Sequence, residues 1–243
     1  MLDDPMVPLR RQDLDAVFLD AGNTLVSIDH DLVCEVLASE GVAATAKSLE
    51  RAEAAARPAV SRFLGDGRST ERADAFTFYV QRMLEQLGVD GPGTSDLASR
   101  LVITLKRDFS TQRLWSRVLP GVPDALASLR DAGLRLIVVS NSDGTVESGL
   151  AAVGLRPLVD AVVDSAVVGA EKPDPAIFRH ALRLVDGPPA RVAHVGDLYA
   201  VDVLGARAAG LHAVLLDPYG DWDGVDFFRA ADLPSLARAL LRA

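Results

Sequence analysis

Four short polar segments of this chain carry side chains whose types suit hydrolysis at an anionic centre. They are centred on Asp20, on Ser140, on Lys172 and on the pair Asp197 and Asp202. A carboxylate can act as a covalent nucleophile, and a hydroxyl beside backbone N–H groups can hold an anion. A lysine screens negative charge, and paired carboxylates suit Mg²⁺. Together the segments predict a nucleophile, an anion anchor, a fixed cation and a metal-binding pair.

Each segment also has a simpler structural interpretation. Residues 20–23 suit a turn that ends a strand, and residues 140–144 suit a helix N-cap. Lys172 is followed by two prolines, which hold its backbone at a defined place, although a single lysine is more often exposed on a loop. Asp197 and Asp202 could each cap a helix. The functional interpretation depends on the four segments occurring together.

Short apolar runs place the chemical segments at the ends of strands. The runs are rich in Val or Leu and apolar on both faces, which is typical of parallel strands buried on both sides. Helical stretches separate most of them, so the sequence predicts a doubly wound, Rossmann-like α/β sheet. Ligands bind at the carboxyl ends of the strands in such sheets. The runs are residues 16–19, 134–139, 161–163, 192–195 and 212–216.

A long helical stretch interrupts this pattern between the first two strands of the sheet. The interval is too long for one crossover, and one of its helices has an apolar face formed by Phe76, Tyr79, Val80, Met83 and Leu84. We therefore predict an inserted α-helical cap domain at residues 27–117. The predicted α/β core consists of residues 1–26 and 118–243.

With these motifs in order, the chain resembles the haloacid dehalogenase-like hydrolase superfamily, in the branch with a helical cap between the first and second motifs. The matching stretches are the Asp20 segment, Ser140-Asn141, the Lys172-Pro173 segment, and Gly196-Asp197 with Asp202. The resemblance implies a Mg²⁺-dependent phosphatase that acts on a small phosphorylated metabolite.

The resemblance also implies how the metal and the nucleophile are arranged. Asp20 attacks the phosphoryl group and forms an aspartyl-phosphate. Mg²⁺ is held by the Asp20 carboxylate, the Gly22 backbone carbonyl and Asp197, and Asp202 supports a metal-bound water. Catalysis is then mostly positioning and charge neutralisation.

Phosphate oxygens, by the same resemblance, are bound by residues of the first three segments. The Ser140 hydroxyl, the Asn141 backbone and Lys172 contact them directly. The backbone of Asn23 and Thr24 lines the same site.

Gly22 departs from the family pattern, in which phosphatases carry a second aspartate two residues after the nucleophile. That aspartate protonates the leaving group and then activates water, help that is worth ~10²–10⁴-fold. Without it the reaction needs a good leaving group, a cap residue or bound water. Asp29, His30 and Tyr199 are conceivable substitutes, although a solvated position at a helix start is the simpler interpretation of His30.

The missing aspartate leaves two other functions open. Dehalogenases of the superfamily also lack it, because a halide leaves without protonation, and Asp20 would then form an ester with a carbon centre. The intact Gly196-Asp197 metal motif favours phosphate chemistry over this alternative. A non-catalytic protein that binds phosphate or a metabolite is the remaining possibility.

Composition limits the classes of partner. The net charge of −9 argues against nucleic acid, and no apolar run reaches the ~18 residues of a membrane span. Cys34 is the only cysteine, which agrees with a cytoplasmic location. Residues 1–12 lack the apolar region of a signal peptide and indicate a loose leader. We expect a monomer or homodimer that acts on a small molecule.

Three further expectations concern individual side chains. Arg57, with Arg62, Arg68 and Arg72, could meet a substrate anion, but a solvated helix face is the simpler interpretation. His194 lies inside a strand run, so we expect a core residue. Trp115 is expected to pack at the hinge of the cap.

Overall fold

The structure of the chain is a computed structural model that describes residues 9–65, 68–70, 72–223 and 228–242, with residue 73 described by its backbone alone. Residues 1–8 of the predicted leader therefore lie outside the described residues. Within the described leader, Arg11–Asp13 form a short 3₁₀ turn before the first strand.

The core of the molecule is a six-stranded parallel sheet. Its strand order is β5-β4-β1-β6-β7-β8, which is the doubly wound order with the first strand near the centre. The predicted α/β class is confirmed, while β8 was not predicted. The strands of the chain are β1 (Ala16–Leu19), β2 (Val26–Ser27), β3 (Arg117–Val118), β4 (Arg135–Ser140), β5 (Ala161–Asp164), β6 (Val192–Gly196), β7 (His212–Leu216) and β8 (Phe228–Ala230).

Helices cover both faces of this sheet and fill the interval between β2 and β3. In chain order they are α1 (His30–Ser39), α2 (Ala46–Gly65), α3 (Ala73–Gln86), α4 (Thr94–Asp108), α5 (Thr111–Leu114), α6 (Val122–Asp131), α7 (Val146–Ala152), α8 (Ser165–Val168), α9 (Pro175–Leu182), α10 (Leu204–Ala208) and α11 (Leu233–Leu241). A π-helical turn, Tyr199–Val203, leads into α10.

The two faces of β1 explain why its run is apolar throughout. Val17 and Leu19 belong to a core cluster with α6 and α11, whereas Ala16 and Phe18 belong to a separate cluster with α9 and α10. Each strand residue is fully buried against one layer of helices or the other. The double cover removes the alternation of polar and apolar residues that an exposed sheet face would produce.

The helices α1 to α5, which we call the helical segment, have a core of their own. Leu49, Leu84 and Leu101 are buried in a cluster built mainly from this segment. The antiparallel pair β2–β3, with Val26 opposite Val118, joins the two ends of the segment to the sheet. The division into a core and a cap at residues 26/27 and 117/118 stays a prediction.

No helix in the described part of the chain is both long enough and apolar enough to cross a membrane. Cys34 is a half-buried free thiol. The predicted cytoplasmic location and oligomeric state stay predictions.

Candidate active site

The candidate site lies at the carboxyl edge of the three central strands. β1 pairs with β4 on one side and with β6 on the other, and Leu19 is in register with both Val138 and Val195. Asp20, directly after β1, donates its backbone N–H to the Val195 carbonyl at 2.8 Å. The ends of β1, β4 and β6 therefore bring Asp20, Ser140 and Asp197 to one place on the sheet edge.

Lys172 is held as a buried cation between two carboxylates of the site. Its Nζ lies 2.7 Å from Asp20 Oδ1 and 2.7 Å from Asp202 Oδ1, and the residue is 3% exposed. The Asn141 side chain fixes the Lys172 backbone from both sides, accepting from Lys172 N at 2.7 Å and donating to Lys172 O at 2.9 Å. The exposed-loop interpretation of Lys172 is therefore wrong.

Asp202 is buried in the π-helical turn, where both of its oxygens are used. Oδ1 lies 2.7 Å from Lys172 Nζ and 3.0 Å from His194 Nε2, and Oδ2 accepts from Leu198 N at 2.9 Å. A Cβ on Gly196 would lie 2.2 Å from Asp202 Cγ, so this position must be glycine. His194 is a core residue, as expected, but its bond to Asp202 was not predicted.

Asp197 contacts the helical segment through a buried polar network that the sequence did not reveal. Asp197 Oδ2 lies 3.2 Å from Asn23 Nδ2 and 3.4 Å from Arg57 Nε. Arg57 forms a two-bond ion pair with Glu53, which also accepts from Asn23 at 2.8 Å and from Tyr79 Oη at 2.9 Å. The prediction of a solvated Arg57 is wrong, because its guanidinium reaches back to the sheet edge.

The other predicted phosphate ligands, Ser140, Asn23 and Thr24, make only local hydrogen bonds through the groups predicted to bind phosphate. Ser140 is buried, and its Oγ makes only a long contact of 3.4 Å to the Asn141 carbonyl. Asn23 N donates to Val26 O at 2.6 Å, and Thr24 N donates to Ala21 O at 3.4 Å. These two N–H groups are therefore used within the turn, whose hydrogen bonds do not support a phosphate-binding role for them.

A family model of haloacid dehalogenase-like hydrolases matches residues 14–210. The chain belongs to the haloacid dehalogenase-like hydrolases. A relative of the same description, haloacid dehalogenase-like hydrolase domain-containing protein 3 of Bos taurus, is 43% identical over 138 residues, which are 56% of this chain and 53% of that protein. The match thus spans about half the length of this relative. A phosphoglycolate phosphatase of Nitrosospira multiformis is 31% identical over 185 residues, covering 71% of this chain and 81% of that protein.

Solved structures of haloacid dehalogenase-like hydrolases share the fold. A magnesium-bound member from Bacillus subtilis is 16% identical with a TM-score of 0.64, covering 93% of this chain and 98% of that one. A dehalogenase captured as an intermediate complex is 20% identical with a TM-score of 0.61, covering 95% and 99%. At these identities the likeness concerns the fold alone.

This family member has an indole ring where a side chain at residue 22 would lie. A Cβ on Gly22 would stand 3.2 Å from Cζ3 of Trp115.

The three conceivable substitutes for the missing aspartate are Asp29, His30 and Tyr199. None of them lies among the described residues that line the cavity beside Asp20. Asp29 caps α1 and pairs with Arg113. His30 is buried against Arg117, so the prediction of a solvated His30 is wrong.

Burial and charge shape the protonation of the site. Burial raises the pKa of Asp197 to about 8 although nearby Arg57 opposes the shift, and burial also raises the pKa of Asp20 against the effect of Lys172. Burial would raise the pKa of Asp202 as well, but Lys172 and His194 lower it overall. The Lys172 ammonium loses hydration on burial, yet Asp20 and Asp202 raise its pKa.

Proposed function

We propose that this chain is a Mg²⁺-dependent phosphatase that acts on a small phosphorylated metabolite through an aspartyl-phosphate on Asp20. The observation that carries the proposal is the convergence of Asp20, Asp197 and Asp202, each of which has one carboxylate oxygen within 4.8 Å of the other two. Lys172 stands 2.7 Å from two of them. A nucleophile, an acidic pair and a fixed cation therefore occupy one edge of the sheet.

The charge of the site supports a divalent cation. Four acidic side chains, those of Asp20, Asp197, Asp202 and Glu53, face two buried cations, Lys172 and Arg57. When all four are ionised, two negative charges thus exceed the cations among the described residues, which agrees with the raised pKa of Asp20 and Asp197. Mg²⁺ prefers oxygen ligands and would neutralise both.

The hydrogen bonds to the carboxylate oxygens indicate which acidic residues would bind Mg²⁺ directly and which would act through water. Asp20 Oδ2 and Asp197 Oδ1 receive no hydrogen bond from the described part of the chain, so they are the oxygens that would hold Mg²⁺, together with the Gly22 carbonyl. Both Asp202 oxygens are occupied, so Asp202 would support the metal through water. Bound Mg²⁺ would neutralise charge on the phosphoryl oxygens.

Backbone donors beside Asp20 support binding of the anion. The N–H groups of Ala21, Gly22 and Asn141 donate to no group within the described ranges, and all three residues line the cavity. Lys172 adds a positive charge, and the Ser140 hydroxyl lines the same cavity. A phosphoryl group placed here would meet the Asp20 carboxylate and these donors together.

Relatives named as phosphatases support phosphate chemistry. Besides the phosphoglycolate phosphatase of Nitrosospira multiformis, a glyceraldehyde 3-phosphate phosphatase of Methanothermobacter thermautotrophicus is 37% identical over 102 residues, which are 42% of this chain and 45% of that protein. The dehalogenase alternative has one observation in its favour, the absence of a titratable side chain at Gly22.

The test is release of inorganic phosphate from p-nitrophenyl phosphate and acetyl phosphate with and without Mg²⁺, run beside chloride release from 2-chloropropionate. We expect Mg²⁺-dependent phosphate release that Asp20→Asn abolishes, because the amide cannot attack phosphorus. The matched control is Asp160→Asn, which changes a carboxylate on the strand edge away from the site. Chloride release without metal would instead establish a dehalogenase, and silence in every assay would favour a binding protein.

A further inference from the structure

The cavity above Asp20 has one polar wall and one apolar wall. Its volume is about 360 Å³, within the range of ~300–1,000 Å³ that is typical of small-molecule sites. The sheet edge supplies the polar wall, and the helical segment supplies the apolar one. The apolar wall contains Val60, Leu64, Phe76, Leu105, Phe109 and Trp115.

Cations of the described lining are poorly placed for a second anionic group on a substrate. Lys172 is already shared between Asp20 and Asp202. Arg72 is exposed and pairs with Asp74, and Lys106 is exposed with its Nζ 5.6 Å from the centre of the Phe76 ring. A substrate carboxylate against the apolar wall would lose water without gaining a buried partner, which is unfavourable.

Acidic and hydroxyl groups of the described lining are also poorly suited to protonate a leaving group. Asp143 is partly buried, which would raise its pKa, but hydrogen bonds from Thr145 and Thr111 lower it overall, so it stays ionised. Tyr79 donates its hydroxyl to Glu53, and burial raises its pKa well above the usual value. Neither side chain is suited to protonate a leaving oxygen against the apolar wall, which favours an ester whose leaving group is stable as an anion.

We infer that the preferred substrate is the phosphate ester of an uncharged aryl group, which Phe76, Phe109 and Trp115 bind against the apolar wall while its phosphoryl group faces Asp20. The inference rests on the proposed phosphatase function and specifies its substrate class. A phenolic oxygen is stable as an anion, so the ester needs no proton donor, and an aromatic ring matches the aromatic side chains of the wall.

The reaction balances without further reagents. An Asp20 carboxylate oxygen forms a bond to phosphorus as the bond between phosphorus and the aryl oxygen breaks, and the electron pair leaves with the phenolate. Water then attacks phosphorus, the bond to Asp20 breaks, and inorganic phosphate leaves with the carboxylate restored. The phenolate takes up the proton that this water loses to the solvent.

The test compares kcat/KM for three phosphate esters with Mg²⁺ present. We expect 2-naphthyl phosphate to exceed phosphoglycolate by at least about 100-fold, because a site whose described lining offers no buried, unshared cation to a carboxylate discriminates strongly against one. The third ester, 2-phenylethyl phosphate, is apolar but has a poor leaving group. It should have a similar KM to the aryl ester and a kcat lower by ~10²–10⁴-fold. Faster hydrolysis of phosphoglycolate would overturn the inference.

A pair of arginine substitutions on or near α4 tests the apolar wall directly. Phe109→Arg places a cation in the wall and should lower the preference for 2-naphthyl phosphate over phosphoglycolate by at least about tenfold. Ile103→Arg adds the same charge on the exposed side of α4, where residue 103 is 63% exposed and outside the cavity lining, and should leave the preference unchanged. Equal effects of both variants would contradict the role of the wall.

A binding measurement separates failure of this inference from failure of the phosphatase proposal. If no ester releases phosphate, the phosphatase proposal fails, but titration calorimetry with phenylphosphonate and phosphonoacetate still tests the cavity. We expect phenylphosphonate to bind at least about tenfold more tightly to the wild-type chain with Mg²⁺. Equal affinities or tighter binding of phosphonoacetate would overturn the aryl preference.

Discussion

At the scale of single residues, Gly22 and Trp115 determine which proton transfers this site can perform. Gly22 follows the nucleophile by two positions and has no side chain to titrate, and the Trp115 ring lies 3.2 Å from the place where a Cβ would stand. The position is thus closed by an apolar ring. Asp29, His30 and Tyr199 do not line the cavity and cannot replace the missing acid. The site therefore favours a leaving group that is stable without protonation.

Gly22→Asp should restore part of this acid catalysis. The Gly22 backbone lies outside the left-handed region, so a side chain adds no φ strain, although Trp115 must move by a few tenths of an ångström to admit the Cβ and farther to admit the carboxyl. We expect kcat for 2-phenylethyl phosphate to rise at least about tenfold, below the full ~10²–10⁴-fold of acid–base catalysis because the ring restricts the new carboxyl. Phosphate release is the measurement. Gly22→Asn has the same shape without the proton, and an equal gain there would exclude acid catalysis.

The sequence predicted single residues well where their partners follow strands of the sheet. Asp20, Lys172, Asp197 and Asp202 lie together because each comes after a core strand, and parallel strands end at one edge. Arg57 was misjudged because its partner Asp197 lies in a distant part of the chain. The signal that could have found it is the spacing of Glu53 and Arg57, four residues apart on a helix.

At the scale of elements, α2 connects the helical segment to the catalytic edge through buried polar contacts. Glu53 and Arg57 have side-chain exposures of 2% and 8%, and their ion pair touches Asn23 and Asp197 of the sheet edge. Farther along α2, Ser61 Oγ accepts from Ala200 N of the π-helical turn at 2.8 Å. These contacts orient the helical segment over the site more specifically than apolar packing alone would.

Glu53→Gln should strongly destabilise the chain. The substitution removes the charge that pairs with the buried Arg57 guanidinium, whose remaining carboxylate contact is the longer one to Asp197, and removing one partner of a buried ion pair costs about 3–5 kcal/mol. We expect a loss of about 3 kcal/mol, since the amide still accepts hydrogen bonds. Urea unfolding measures it as a lower midpoint at an unchanged m-value.

The matched control for this prediction is Glu85→Gln on α3. Glu85 pairs with Arg82 at 2.6 Å, and the two side chains are 25% and 30% exposed. A partly exposed pair of this kind contributes ~0–1 kcal/mol. If the two variants lost equal stability, the buried network of α2 would not be an important source of stability.

Sequence patterns predicted elements to the extent that local periodicity determines them. The runs for β1, β4, β5, β6 and β7 were recognisable because two layers of helices make both strand faces apolar. β8 has only three residues, one of them an arginine, and β2 and β3 have two each. Such short strands are defined by pairing with a neighbouring strand. The hydrophobic periodicity of the sequence does not reveal that pairing.

At the scale of the whole molecule, a cluster of buried acidic groups lies where the two cores meet. The chain has a net charge of −9, and its buried acidic cluster lies between the sheet and the helical segment. When all are ionised, the four carboxylates and two cations around Asp197 would leave an excess of two negative charges in a buried place, and burial accordingly raises the pKa of Asp197 to about 8. Such an arrangement weakens the metal-free fold while it favours a divalent cation, a common conflict between stability and function.

Asp197→Asn should therefore have opposite effects on the two forms of the protein. Without a metal, burial raises the pKa of Asp197 to about 8, so its carboxyl is mostly protonated at pH 7. Asn is then a near-neutral replacement whose Oδ1 can still accept from Asn23 and Arg57, so we expect a Tm no lower than that of the wild type. The wild type should gain about 2.7 kcal/mol at a Mg²⁺ concentration about one hundred times Kd, and the variant should lose most of this gain. Thermal unfolding with and without MgCl₂ measures both effects.

Asp217→Asn provides the contrast that makes this prediction specific. Asp217 is also buried, but it is paired with Arg229 at 3.2 Å and accepts from Asp221 N at 2.9 Å, away from the acidic cluster. The substitution removes the negative charge that pairs with Arg229, so the metal-free Tm should fall while the stabilisation by Mg²⁺ stays intact. If Asp197→Asn instead behaved like Asp217→Asn, the carboxylate of Asp197 would be a structural ion-pair partner and the metal would bind elsewhere.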